Sequence, residues 1–325
     1  MASDPTRVRW VRRGRSHLTR WVIVPLVTIL AASLVLYLAL SLAPGDPVVA
    51  ILGDKATAAQ YAALRHQLGL DQPVLIRYVH WLGGAVHGDF GDSLLYRQSV
   101  ASLLGPRIGI TLSIAFYAAV IFVTAGVLLG ILGGMVRRLS APVAAVSGIG
   151  VAVPVFVAIQ VLVAVFAVNL GWFPVLGAGD GGLDRLHHLT LPAITLAIGW
   201  SAYIAQVTRS AVAEQRRSPH VETARGRGLD SAWVFRHHIL RNAAIPIVTV
   251  SALAVAGMFA GAVVVEYAFG LGGLGSLLVS SVGSKDYNVV LAIFLILLIV
   301  FVVVTTVIDL VQVWLDPRLR ERQGP

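Results

Sequence analysis

Six stretches of this chain carry runs of mostly apolar residues long enough to cross a membrane: about Trp21–Leu42, Ile108–Val136, Ala141–Val168, Leu191–Ala213, Pro246–Phe269 and Val289–Val313. A spanning helix needs about 20 such residues. Lipid offers no hydrogen bonds, so a backbone crossing it must satisfy its own, and runs of this kind form helices. The expected fold class is therefore an all-α integral membrane protein with six transmembrane helices. Composition agrees, with 57% hydrophobic and 13% charged residues, against about 25% charged in a soluble domain. The net charge of +9 does not point to nucleic acid, because the arginines lie in blocks between apolar runs rather than along one face. The chain has no cysteine, which removes disulfides, thiolate nucleophiles and zinc–thiolate sites.

The basic blocks set the orientation. With the N-terminus inside, the inner segments hold Arg7 to Arg20, Arg137 and Arg138, Arg209 to Arg241, and Arg318, Arg320 and Arg322. The outer segments hold only Lys55, Arg65, Arg77, Arg97, Arg107, Arg185 and Lys285. Positive residues accumulate on the cytoplasmic side, so both termini are expected there. Ser41-Leu42-Ala43 has the small-x-small form of a signal-peptidase site, but the apolar run before it exceeds the 7–15 residues of a typical signal core. An uncleaved first helix is the better reading. The domain organisation expected is a basic cytoplasmic segment (1–20), a six-helix domain (21–313) and a cytoplasmic tail (314–325).

The loops are unequal. The external segment 43–107 has turn signals at Pro44-Gly45-Asp46-Pro47 and Gly88-Asp89-Phe90-Gly91. Between them, Ala56–Leu68 and Pro73–Val86 read as short amphipathic helices, with Tyr78 and Trp81 suited to a membrane interface. A shorter, glycine-rich outer loop follows at Asn169–Thr190.

The long polar break on the basic side, 214–245, carries its own helix signals. Ser218-Pro219 reads as a start, with serine capping free amides and proline at the first helical position. Glu222 complements the positive end of the helix dipole. Gly228 reads as the terminating glycine, and Asp230 as the cap of a second helix through Trp233, Phe235 and His238. Ala224 and Gly228, four apart, share a face and would let another backbone approach. Two short helices and a glycine bend make a rigid knob. The residues alone leave two readings open: a partner-docking knob, or an amphipathic loop on anionic lipid drawn by Arg216, Arg217, Arg225, Arg227, Arg236 and Arg241.

The run Glu222-Thr223-Ala224-Arg225-Gly226-Arg227-Gly228-Leu229, with Arg236-His237, Arg241-Asn242 and Pro246 downstream, resembles the "EAA" coupling motif of ABC importer permeases. More narrowly, it is similar to the B-type subunit of the peptide/nickel subfamily. Pro44-Gly45-Asp46-Pro47, Leu68-Gly69-Leu70-Asp71-Gln72-Pro73, Arg77-Tyr78 with Trp81, and Gly88-Asp89-Phe90-Gly91 with Ser93 match that subfamily's first external loop. Glu266 and Phe269 before Gly273-Leu274-Gly275, then Asp309 and Asp316-Pro317-Arg318, match its C-terminal part. His220 stands where the family often has tyrosine, Pro219 where it has an acid, and Gly272 where it has the proline of a Pro-Gly-Leu-Gly turn. The resemblance implies a type I importer permease fold in the bacterial or archaeal cytoplasmic membrane. It also implies a homologous second permease, two cytosolic ATPases (or one fused), an external substrate-binding protein and surrounding lipid as partners. Glu222, Ala224, Arg225, Arg227, Gly228 and Leu229 would then couple to the ATPases. Asp71, Tyr78, Trp81 and Asp89 would face the binding protein.

Other classes fit less well. No Gly-x-x-x-x-Gly-Lys-Ser/Thr loop occurs, so ATP and Mg would be used by partner subunits, and no cofactor is expected in this chain. An ion-coupled secondary transporter is the competing class, but it calls for ionisable groups near mid-membrane. Glu266 and Asp309 instead sit near span ends, where a loop-orienting hydrogen bond and an interfacial anchor are their expected roles. His187-His188 and His237-His238 are adjacent rather than at the i, i+3 or i+4 spacing of metal ligands. Asp89 and Asp92 read as turn residues rather than a catalytic pair. The chain is expected to be a transport subunit without catalysis. Its cargo is expected to be peptide, with nickel or another small solute as the alternative, since a metal path would call for several soft or imidazole ligands.

Overall fold

The computed structural model describes residues 19–43, 47–53, 56–67 and 69–315. Most of the basic N-terminal segment, the Pro44-Gly45-Asp46 turn, Lys55, Leu68 and the Asp316-Pro317-Arg318 ending lie outside the described residues. Helices dominate: α1 Trp21–Ser41, α2 Pro47–Leu52, α3 Ala58–Gln67, α4 Val74–Val86, α5 Val100–Met135, α6 Arg137–Ala152, α7 Val155–Asn169, α8 Gly182–Arg216, α9 Pro219–Gly226, α10 Ser231–Ala268, α11 Leu274–Gly283 and α12 Tyr287–Leu315. Five of them (α1, α5, α8, α10 and α12) are long and apolar enough to span, and a sixth span exists only if α6 and α7 are counted together.

That pair corrects the expected span Ala141–Val168. The two helices meet at a bend of 102°. Val153 has φ −74° and ψ 116°, and Pro154 φ −63° and ψ 144°. Proline pushes the preceding residue into extended backbone and brings no N–H to continue the helix, so the run breaks there. Other boundaries move outward. The second apolar helix begins at Val100, so the loop before it is shorter than the expected 43–107. The second helix of the polar break continues without interruption into the fifth expected span, so it is not a separate short element.

The chain forms two compact units, each described on its own. One holds the described residues up to Gly105 together with Ser280–Thr306; the other holds Pro106–Val279 and the described residues from Val307 on. In the first unit α4 packs on α1 through an aromatic cluster. The Tyr37 and Tyr78 rings meet edge-on at 5.5 Å and Trp81 lies 6.0 Å from Tyr37, with Leu291 buried beside them. The Tyr78 hydroxyl meets Ser33 Oγ at 2.9 Å and donates to the Leu30 carbonyl at 3.1 Å.

In the second unit α8 is the central helix, packed along α6 and α10. Its contact with α5 rests on glycines at four-residue spacing. A Cβ added at Gly126, Gly130 or Gly134 would lie 2.7, 2.8 and 3.0 Å from the carbonyl oxygens of Ser201, Ala205 and Arg209. Both series advance by four, and the β-branched side chains of Ile204, Thr208 and Val212 occupy the space the glycines leave, so the two helices interlock along one stripe. Small residues at this spacing let membrane helices approach closely enough for dispersion contacts to hold them. Arg216 donates to the Met135 carbonyl at the C-terminus of α5, placing positive charge where the helix dipole is negative.

Candidate coupling site and outer-loop surface

The segment from Ser218 to Leu229 folds by local rules. Ser218 is extended (φ −73°, ψ 146°) and Pro219 occupies the first helical turn of α9. The expected serine cap does not form. The Ser218 hydroxyl donates to the Gln215 carbonyl at 2.6 Å instead, tying α9 to the end of α8. Gly228 terminates α9 at φ +77°. Its N–H donates to the Arg225 carbonyl at 2.9 Å, and the Leu229 N–H donates to the Ala224 carbonyl at 3.3 Å. These two bonds are the pair of a Schellman turn, and they satisfy carbonyls the helix end would otherwise leave open. Asp230 then caps α10, accepting from the N–H groups of Ala232 (2.9 Å) and Trp233 (3.1 Å).

The six candidate coupling residues divide between two faces. Glu222, Arg225, Arg227, Gly228 and Leu229 are exposed, whereas Ala224 is buried. Ala224 and Val221 enter an apolar cluster with Ala211 and Val212 of α8, and with Val234, Ile239, Ala243 and Ile247 of α10. This corrects the expectation that Ala224 and Gly228 together admit a foreign backbone. Ala224 is small because the knob's foot packs on its own chain, and Gly228 is needed for its φ, since nothing lies within 4 Å of its missing Cβ. The knob is thereby fused to both flanking spans. Around it, Trp233 stacks on His237 at 4.5 Å and meets His238 edge-on at 5.2 Å. His220, in the family's tyrosine position, lies 3.3 Å from Asn242 Nδ2.

Of the four outer-loop candidates, Asp71 and Asp89 are exposed. Asp89 Oδ1 accepts from the Gly91 N–H at 2.9 Å, the turn-forming role its setting implied. Tyr78 is 8% exposed with its hydroxyl already engaged, and Trp81 faces the same aromatic cluster. Both belong to the core of the first unit rather than to a docking face, because amphipathic α4 lays its aromatic side on α1.

Two acids organise loops in a way that local patterns do not disclose. Asp286, 1% exposed, accepts from the Ser93 hydroxyl at 2.5 Å and the Leu95 N–H at 3.2 Å. Asn288 donates to the Asp92 carbonyl at 2.9 Å. The Gly-Asp-Phe-Gly-Asp-Ser segment is thus held to the start of α12. Glu266, fully buried, accepts from the Gly275 N–H at 2.7 Å and from the Thr111 hydroxyl, while Thr111 accepts from the Leu274 N–H at 2.9 Å. The loop-orienting role expected for Glu266 is observed. Gly272 sits at φ +70°, which the family's usual proline cannot adopt, so this turn has its own geometry. Replacing Glu266 with alanine strands a buried N–H and a hydroxyl and is expected to cost about 1–3 kcal/mol. Glu266→Gln, which keeps an acceptor, is expected to cost less. Thermal unfolding of the purified protein in detergent checks the order, and equal losses in the two variants would contradict it.

Five apolar helices long enough to span, one bent pair and a polar knob packed on two of the spans define a multi-pass membrane protein. The chain belongs to the family described as binding-protein-dependent transport system inner membrane component, which it matches over residues 126–321, with the family's N-terminal component matched over 15–115. It is a permease subunit of an ABC importer, a transport protein. A protein of Sinorhizobium fredii named as a probable peptide ABC transporter permease is 33% identical over 94% of this chain and 99% of its own length. The glutathione transport system permease protein GsiC of Escherichia coli (strain K12) is 36% identical over 90% of this chain and 95% of its own length. Among solved structures, an amino acid ABC transporter crystallised with histidines shares the fold, with a TM-score of 0.51 and 19% identity over 65% of this chain and 93% of that one.

Proposed function

We propose that this chain forms half of the translocation pore of a peptide importer in the cytoplasmic membrane. In this reading both termini are cytoplasmic, a second permease completes the pore and a substrate-binding protein delivers cargo to the outer face. Two partner ATPases bind ATP and Mg, and this chain holds neither. Asp71 and Asp89 are the outer-loop residues left to meet the binding protein. The peptide cargo is supported by relatives named for peptide and glutathione transport, glutathione being itself a tripeptide.

The observation that carries the coupling is the two-sided knob. Its charged face (Glu222, Arg225, Arg227) is free of its own chain, while its foot shares one apolar cluster with α8 and α10. Packed interiors transmit displacement because they have few voids to absorb it. Closure of an ATPase dimer against Arg225 and Arg227 therefore moves both spans as one body and changes which side of the pore is open.

Reversing both charges (Arg225→Glu with Arg227→Glu) is expected to leave membrane insertion intact. ATPase co-purification should weaken at least about tenfold, as like charges facing across an interface cost several kcal/mol. Uptake should fall with it. A lipid-patch role predicts instead normal ATPase retention and a dependence on anionic lipid content, and that outcome would reject the assignment.

A further inference from the structure

The break between α6 and α7 has a consequence for the cargo. It falls midway along an apolar run. At such a break the last carbonyls of one helix and the first amides of the next have no intrahelical partner. Backbone in that condition is tolerated within a membrane protein only where protein buries it or where it lines a watery cavity. Here it lines a cavity of about 390 Å³, bounded by Val151, Val153 and Val155 from the break and by Thr195, Trp200 and Tyr203 from α8. Gly199 and Gly261 contribute no side chains to it, and the Trp200 ring lies where a Cβ on Gly257 would be, 2.6 Å from that position. None of the lining residues is charged. The volume is at the lower end of the roughly 300–1,000 Å³ of small-molecule sites.

We infer that this cavity is a cargo-contact site, taking one apolar or aromatic side chain of a passing peptide while the open backbone groups of the break hydrogen-bond its flanking amides. This rests on the peptide reading above. Lipid tails offer nothing to those backbone groups, whereas a peptide offers both donors and acceptors. The Trp200 and Tyr203 rings, 6.5 Å apart and edge-on, supply the apolar contact. Interrupted helices that present their ends to a transported solute are a recurrent solution in membrane transporters.

The test uses the complete importer in liposomes, with Ala-Ala-Ala and Ala-Phe-Ala as probes. Ala158→Phe fills the cavity, and uptake of Ala-Phe-Ala is expected to fall at least about tenfold more than uptake of Ala-Ala-Ala in the same vesicles. An unchanged ratio in vesicles that still import Ala-Ala-Ala overturns the site. The absence of native cysteine gives a second measurement free of bulk: Val155→Cys, with modification of this chain read by mass spectrometry. A charged thiosulfonate is expected to label it, and Ala-Phe-Ala during turnover is expected to suppress that labelling. Labelling only by a lipid-soluble maleimide, no labelling by either reagent, or labelling indifferent to peptide each overturns the inference, by placing lipid, the second permease or water alone there. A wild-type importer that hydrolyses ATP yet imports neither peptide removes the peptide reading and this inference together. A wild type that imports both, with no effect of either substitution, removes this inference alone.

Discussion

A Gly130→Val variant is expected to enter the membrane and fail to hold α5 against α8, with a large loss of stability. A Cβ at this position would lie 2.8 Å from the Ala205 carbonyl oxygen and closer still to Thr208, itself fully buried. Overpacking of a filled core costs about 1–3 kcal/mol where side chains can give way. Here part of the obstacle is backbone of a helix fixed along its length by α6 and α10, so the cost falls at or above the top of that range. Valine adds two γ-methyls to the same gap. Gly109 on the same helix is the control, since nothing lies within 4 Å of its missing Cβ. Gly109→Ala should remain within about 0.5 kcal/mol of the parent, as substitutions away from packed features do. Protease resistance and thermal unfolding in detergent decide it; equal unfolding temperatures for Gly130→Val and the parent would refute the close-packing account.

The features legible in the sequence are those whose physics is local. Pro219, Gly228 and Asp230 act through their own backbone or the next two or three residues, and each stands where its residue type demands. Spans were legible from apolar length alone, but not their shape. Pro154 is a helix breaker by residue type, yet the run around it is so uniformly apolar that hydropathy reads straight through a bend of 102°. Tyr78 and Trp81 read as residues suited to a membrane interface, and only the position of Tyr37 turns them inward. The Gly126, Gly130 and Gly134 spacing was a signal that could have been read, although it names no partner helix. Ser93 with Asp286, and Thr111 with Glu266, join residues more than 150 positions apart. No periodicity encodes such pairs, and a lone acid near a span end looks the same whether it faces water or a buried amide. The division of the knob into a buried foot and a charged crown was likewise hidden, because Ala224 as a small residue suits close approach from either side.

Replacing Gly228 separates the two roles a glycine can have at the coupling turn. The residue is exposed and unobstructed, so side-chain bulk alone meets nothing, while φ +77° disfavours any side chain on local steric grounds. For ordinary L-residues the left-handed region costs roughly 1–2 kcal/mol, for β-branched ones more, and for asparagine least. Uptake per ATP hydrolysed is therefore expected to run Gly close to Asn, then Ala, then Val. Loss of the turn releases the Ala224 and Arg225 carbonyls and misplaces Leu229 and Asp230, so the crown no longer moves rigidly with its foot. At 1.4 kcal/mol per decade, Val should lower coupled uptake by at least about tenfold while ATP hydrolysis by the assembled importer continues. If Asn proves as damaging as Val, the requirement is for the absence of a side chain at a partner surface rather than for φ. If all three transport like the parent, the turn does not couple at all. The Asn variant thus carries the discrimination, because it is the one substitution that restores the backbone without restoring the empty space.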